Sequence, residues 1–155
     1  MRRLTAVAVA LALVGSVLAG LAIAASAPTK PATVKTRSNA LGKILVNGSA
    51  QTLYLFEKDK KGKSACSGQC AKFWPPLLTK GTPKAGTGAK ASLLGTTTRS
   101  DGTKQVTYNK HPLYRFLNDK NKPGNTKGEG VDAFGAEWYV LGANGKKIEK
   151  EGDKS

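Results

Sequence analysis

Two stretches of the chain carry one pattern. Leu53-Tyr54-Leu55-Phe56-Glu57-Lys58-Asp59 aligns with Leu113-Tyr114-Arg115-Phe116-Leu117-Asn118-Asp119, sixty positions further on, and both read L-Y-x-F-x-x-D. A chain with only four Tyr and four Phe does not readily repeat such a string by chance. A tryptophan follows each copy at a similar distance, Trp74 and Trp138. The duplication restricts the fold to two like halves related by pseudo-symmetry.

Each copy reads locally as a strand. Tyr and Phe two positions apart share one face of a strand, and the residue between them, Leu55 or Arg115, points to the other. Asp59 and Asp119 come three residues after Phe56 and Phe116, where a strand should end. A carboxylate there can accept backbone N–H bonds and close an Asx-type turn. This makes Tyr54, Phe56, Tyr114 and Phe116 core aromatics with turn carboxylates. The competing expectation is that Tyr54, Tyr114 and the two aspartates line a site shared by the repeats.

The surrounding sequence has the same grammar. Lys43-Ile44-Leu45-Val46 is a short apolar run, and Asn47-Gly48 is a two-residue hairpin signal. Leu93–Arg99, Lys104–Tyr108, Pro112–Phe116 and Glu137–Leu141 are strand candidates separated by Gly and Asn turns. Residues 79–92 and 118–130 read as loops. No ten-residue window of the mature chain holds a helical period, although one helical turn fits around Ser64–Trp74. The pattern predicts an all-β fold, a small two-repeat meander, sandwich or barrel of short antiparallel strands, with little helix outside the signal segment.

Domain organisation follows from composition. Residues 1–27 have a basic start (Arg2, Arg3), an uncharged Ala/Val/Leu/Gly run and small residues at the end, the three-part order of a secretory signal. An uncleaved anchor is the alternative, since the run reaches the roughly 20 residues of a spanning helix. Residues 28–40, with Pro28, Pro31 and several Thr, read as a flexible spacer. Residues 41–148 read as the β domain, with repeats at about 42–78 and 93–145, and residues 149–155 as a charged tail.

Cys66 and Cys70 are the only cysteines. In an oxidising compartment such a pair predicts a disulfide. A redox dithiol normally has two intervening residues, and a metal site needs further ligands, while the one histidine, His111, is remote in sequence. Neither a metal nor another cofactor is expected. The formal charge of +15 is carried mostly by lysine. For an exported chain it predicts attraction to anionic lipid or cell-wall polymer, with no specific nucleic-acid partner.

Several ordered blocks resemble the bacterial predicted lipoproteins and secreted-repeat proteins marked by a Y-x-(F/W/Y)-x-x-D motif. They are the two Tyr–Asp strings, Cys66-Ser67-Gly68-Gln69-Cys70, Trp74-Pro75-Pro76-Leu77, Arg99-Ser100-Asp101-Gly102, Gln105-Val106-Thr107-Tyr108 and Phe134-Gly135-Ala136-Glu137-Trp138. The resemblance implies an exported protein, often lipid-anchored, in a family whose role is not established. This chain departs from it at Leu18-Ala19-Gly20-Leu21, where Leu21 occupies the place of a lipidated cysteine. Lipidation is therefore not expected.

No catalytic constellation is visible. A Ser/His/Asp set built on His111 and any serine carries no information, and His111 itself, between a turn and Pro112, reads as an exposed loop residue. The expectation is a non-enzymatic structural or binding module of the cell envelope with a basic surface. The alternative is a redox- or metal-related envelope protein using the Tyr/Asp motifs or the cysteine pair.

Overall fold

The computed structural model describes residues 27–149. The export signal, its anchor alternative and Leu21 fall outside the described residues, as does the tail beyond Glu149. The described chain is mostly strand, arranged in three small open sheets that are antiparallel apart from one short parallel pairing, and no closed barrel forms among these residues.

In the first half, β1 (Thr33–Asn39) and β2 (Gly42–Asn47) form a hairpin, with Val34 opposite Asn47 and Asn39 opposite Gly42. Then come β3 (Tyr54–Phe56), a short helix α1 (Gln69–Phe73) and β4 (Lys84–Ala85), the last lying parallel to β1. In the second half, β5 (Leu94–Thr98) and β6 (Lys104–Tyr108) form the matching hairpin, and β7 (His111–Pro112) pairs with β6. The chain ends with β8 (Val131–Ala133) and β9 (Ala136–Val140), and β9 lies between β8 and β3.

The two halves exchange segments. Leu141, from the second repeat, donates its N–H to Leu53 and accepts from Leu45 of the first, at 3.3 and 2.8 Å. Leu77, from the first repeat, does the same with Leu113 and Val106 of the second, both at 2.8 Å. Each triangle is closed within a repeat by a 3.0 Å bond, Leu53 N–H to Leu45 O and Leu113 N–H to Val106 O. On the axis between them Tyr54 and Tyr114 bond reciprocally, N–H to C=O, at 2.9 and 3.0 Å. Such mutual pairing of equivalent residues is the signature of a two-fold. This is the pseudo-symmetry that the duplicated string predicts.

The strand period separates the core in two. Leu45, Leu53, Leu55, Val106, Leu113 and Leu141 pack on one side, while Ile44, Val46, Tyr54, Phe56, Trp74, Tyr114 and Trp138 pack on the other. On the second side Phe56, Trp138, Trp74 and Phe116 form a continuous stack, with successive ring centroids 4.0, 3.9 and 4.0 Å apart. Tyr54 meets Trp74 edge-on at 5.4 Å, and Tyr114 meets Trp138 edge-on at 5.1 Å. Offset and edge contacts of this kind add about 0.5–1.5 kcal/mol each beyond burial.

Four local expectations need correction. The stretch 28–40 is not all spacer: Thr33–Asn39 is β1, with Val34 fully buried. Its β-branched Thr33, Val34 and Thr36 favour an extended strand, and its other side faces solvent, which gives it a polar composition. The 79–92 loop contains β4 and a 3-10 turn at Ala91–Leu93. Asn47-Gly48 does not occupy a two-residue turn. Asn47 instead ends β2, pairs with Gln51, and its Oδ1 accepts from the N–H groups of Ser49 and Gln51 at 3.0 Å each. Finally, Pro112–Phe116 is a regular strand only at His111–Pro112. Pro76, which has no N–H, lies opposite Tyr114, so this ladder cannot continue as the Tyr54–Val140 ladder does in the other half.

Candidate functional site

The duplicated Tyr and Asp residues meet across the repeats, not within them. The Tyr54 hydroxyl donates to Asp119 Oδ2 at 2.6 Å, and the Tyr114 hydroxyl donates to Asp59 Oδ2 at 2.9 Å. Each carboxylate also accepts a backbone N–H, Asp59 from Ala65 at 2.7 Å and Asp119 from Lys127 at 2.9 Å. These donors lie six and eight residues downstream, so the aspartates anchor whole loops instead of tight Asx turns. Burial and the adjacent carboxylate push both phenols well above their usual range, so they hold their protons at physiological pH.

The two pairs differ in surroundings. Tyr54 and Asp119 are enclosed, and Gly128 N–H approaches the Tyr54 oxygen at 3.3 Å. At Tyr114 the hydroxyl also lies 2.7 Å from Ser64 Oγ. That serine leads to Arg99, buried to 8 % exposure, whose guanidinium donates to Ser64 Oγ, Gln105 Oε1 and the Cys66 carbonyl at 2.7–2.8 Å. Cys66 and Cys70 form a disulfide, with Cα atoms 5.3 Å apart, at the start of α1. It holds the Cys66 carbonyl beside Arg99.

Asp59 also faces a cleft of about 500 Å³. Leu55 and Phe56 contribute its apolar surface, Glu57, Asp59 and His111 its titratable groups, and Lys60, Lys146 and Lys147 its cations. Three chain segments meet there. Asn109 Nδ2 donates to the Gly145 carbonyl at 3.0 Å, tying the β6–β7 turn to the turn at 144–147. A Cβ at Gly145 would lie 2.4 Å from Asn109 Cβ, so only glycine allows this approach. Lys147 pairs with Glu57 at 2.8 Å and lies 4.3 Å above the Tyr139 ring. Exposed Lys58, Lys61, Lys63 and Lys110 stand on the same segments.

Burial raises the Asp59 carboxyl to about 6, and burial lowers the His111 imidazole below its ordinary value. His111 is half-buried on this wall. Sequence reasoning placed it in an exposed loop, because its signal, a β-turn ending at Pro112, does not reveal the third segment that covers it. A cleft of about 610 Å³ along Pro28–Thr33 is larger, but Lys30 is its only ionisable lining residue.

The other predicted site residues lie in the core. Trp74 and Trp138 are the centre of the ring stack, with Phe56 and Phe116 at its ends. Among the described residues no three His, Cys, Asp or Glu side chains gather closely enough to hold a metal ion, and no helix is long and apolar enough to cross a membrane.

Residues 35–78 and 95–142, together more than half of the chain, match the Lipoprotein_15 family, a secreted repeat of unknown function. The two matched stretches correspond to the two structural halves. No curated protein and no solved structure matches.

Proposed function

From the premise that the chain belongs to this family of secreted repeats, we propose that it is a non-enzymatic binding module acting outside the cytoplasm, and that its ligand is a phosphate-bearing polyanion of the cell envelope. The observation that carries this reading is the convergence of Lys60 with Lys146 and Lys147, far apart in sequence, on one cleft. The groups best suited to chemistry, Tyr54, Tyr114 and Asp119, are committed to internal hydrogen bonds. Lys60, Lys146 and Lys147 line the cleft beside Glu57 and Asp59; Lys147 is paired with Glu57 and Glu149, which leaves Lys60 and Lys146 to meet an anion, with exposed Lys58, Lys61, Lys63 and Lys110 on neighbouring stretches of chain.

The test is retention on immobilised polyglycerol phosphate and on phosphatidylglycerol vesicles across a salt series. Attraction between exposed charges decays as the screening length falls from about 10 Å at 0.1 M to about 3 Å at 1 M salt. Binding to one or both surfaces should be lost over that range and should weaken in a Lys60→Glu, Lys110→Glu, Lys146→Glu variant. Retention on the polymer alone identifies a wall ligand, and retention on vesicles alone a lipid one. Binding unchanged at 1 M salt, or by the triple variant, refutes the reading.

A further inference from the structure

A second groove, of about 420 Å³, shares no lining residue with the lysine cleft. Arg99, Arg115 and Asp101 bring charge to it, and Pro75, Pro76 and Leu77 form part of an apolar wall. That wall offers a ligand little hydrogen bonding. The prolines have no N–H, the Pro75 carbonyl accepts from the Arg115 N–H, and Leu77 gives its N–H to Leu113 and its carbonyl to Val106.

Arg99 meets the groove with a guanidinium only partly used. Of its five donors, Nη1 donates to Ser64 Oγ and Gln105 Oε1, and Nη2 to the Cys66 carbonyl. Ser64 Oγ and that carbonyl are 3.3 Å apart, so the two Nη groups hold them end-on. The edge left over carries Nε–H and the second Nη2–H, a fork that grips a carboxylate side-on. Nε has no hydrogen-bond partner, although Arg99 is only 8 % exposed. The nearest carboxylate oxygen, Asp101 Oδ2, lies 4.0 Å from Nε, beyond hydrogen-bond reach. Asp101 is turned to solvent, and its Oδ1 accepts from the Thr103 N–H and hydroxyl at 2.9 and 2.6 Å. A buried donor without a partner is costly, and the groove is where a partner can enter. Two guanidiniums against one carboxylate leave the groove a single positive charge, which suits a monoanion.

We propose that this groove binds an ionised carboxylic acid with an unbranched apolar tail, a ligand of the fatty-acid type. Its carboxylate takes the Nε–Nη2 edge of Arg99 in place of Asp101, Arg115 adds the second cation, and the tail lies along Pro75, Pro76 and Leu77. Asp101 competes for the same edge. The site is separate from the polyanion cleft and does not depend on it.

The test is calorimetric titration of the full chain with octanoate. The expected result is one site per chain. Octanol, which has the tail without the charge, should bind at least about 30-fold more weakly, the loss that follows when a buried charge goes unpaired. Shortening the tail should weaken binding about 4-fold per methylene. Asp101→Asn should tighten binding about 5-fold, the effect of removing one exposed like charge about 4 Å away. Arg115→Gln should weaken it by a similar factor. Arg99→Lys keeps the charge, loses the fork and should abolish binding. If Arg99→Lys does not fold, Asp101→Asn and Arg115→Gln carry the decision. The Lys60→Glu, Lys110→Glu, Lys146→Glu variant should bind octanoate as the unaltered chain does, and loss of binding there would move the ligand to the lysine cleft and overturn the proposal. It is overturned equally by an absence of saturable octanoate binding, by octanol binding as tightly as octanoate, by octyl phosphate binding more tightly, or by Asp101→Asn having no effect.

Discussion

Partner choice among the four duplicated polar residues can be measured directly. Tyr54→Phe removes one hydroxyl, and Asp119→Asn removes one charge, so the two form a double-mutant cycle. The bond they share is 2.6 Å long, both residues are buried, and its acceptor is a carboxylate. Hydrogen bonds to charged groups contribute about 1.5–3 kcal/mol, and the coupling energy should fall in that range. Asp119 keeps the Lys127 N–H in the Tyr54→Phe protein, which holds the value below that of an orphaned charge. The Tyr114–Asp59 pair should couple more weakly, by about 1 kcal/mol. Its bond is 2.9 Å, Asp59 is only partly buried, and Ser64 remains beside the phenol. The same-repeat combination, Tyr54 with Asp59, should show coupling within about 0.5 kcal/mol of zero. Urea unfolding followed by the fluorescence of buried Trp74 and Trp138 is the assay. A loss of 2 kcal/mol moves the midpoint by about 1 M for a domain of this size. Coupling larger for Tyr54 with Asp59 than for Tyr54 with Asp119 would refute the crossed pairing, and with it the two-fold arrangement.

Gly128 gives a steric prediction. A Cβ there would lie 2.8 Å from Trp74 Cη2 and 2.8 Å from Tyr54 Cε1, both on buried rings. Gly128→Ala should therefore lower stability by about 1–3 kcal/mol, and an unchanged thermal midpoint would contradict the packing. Stability should also depend on pH through Asp59, whose carboxyl is raised from 3.8 to about 6 by burial. The folded protein retains a proton that the unfolded chain has already lost, so this contribution is full below about pH 4 and disappears as pH rises through 6. Two pH units correspond to about 3 kcal/mol, and partial screening of the incompletely buried side chain reduces this to about 2. Stability measured between pH 4 and 7 should fall in the unaltered protein and stay flatter in Asp59→Asn. Equal slopes would remove Asp59 as the cause.

What was legible in the sequence was whatever depends on near neighbours. The strand period at 53–56 assigns Tyr54 and Phe56 to one core and Leu55 to the other, as found. The helical turn at the cysteines and their disulfide were legible for the same reason. Partner identity was not. Nothing in L-Y-x-F-x-x-D distinguishes an aspartate that caps its own loop from one that also receives a phenol from 65 positions away. β1 was missed because one buried residue, Val34, among Thr, Lys and Arg gives almost no hydrophobic signal, and its position depends on pairing with β2 and β4. His111 was placed in solvent because the wall that half-covers it comes from residues 55–60 and 145–147.

The exchange of segments explains why the repeat comes as a pair. Alone, the first repeat would expose the backbone groups of Leu45 and Leu53 that Leu141 satisfies, and Tyr54 would have no carboxylate. The second repeat would likewise leave Val106 and Leu113 without Leu77, and Tyr114 without Asp59. Unpaired strand edges invite association, and a buried phenol without an acceptor costs about 1–3 kcal/mol. Half of the indole pair would also be missing, since the Trp74–Trp138 contact takes one ring from each repeat. Each half is therefore a template for the other, and a single repeat would complete itself only by pairing with a second copy about the same axis. The cleft obeys the same logic. Asp59 and Phe56 come from one repeat and His111 from the other, and Lys146 and Lys147 come from the segment that follows the second repeat. Covalent joining of the repeats makes the cleft one-sided, because the loops at 60 and at 120 differ in sequence and the two tyrosine–carboxylate pairs are no longer equivalent. One pair stays enclosed and the other opens to solvent, which gives a symmetric framework a single working face.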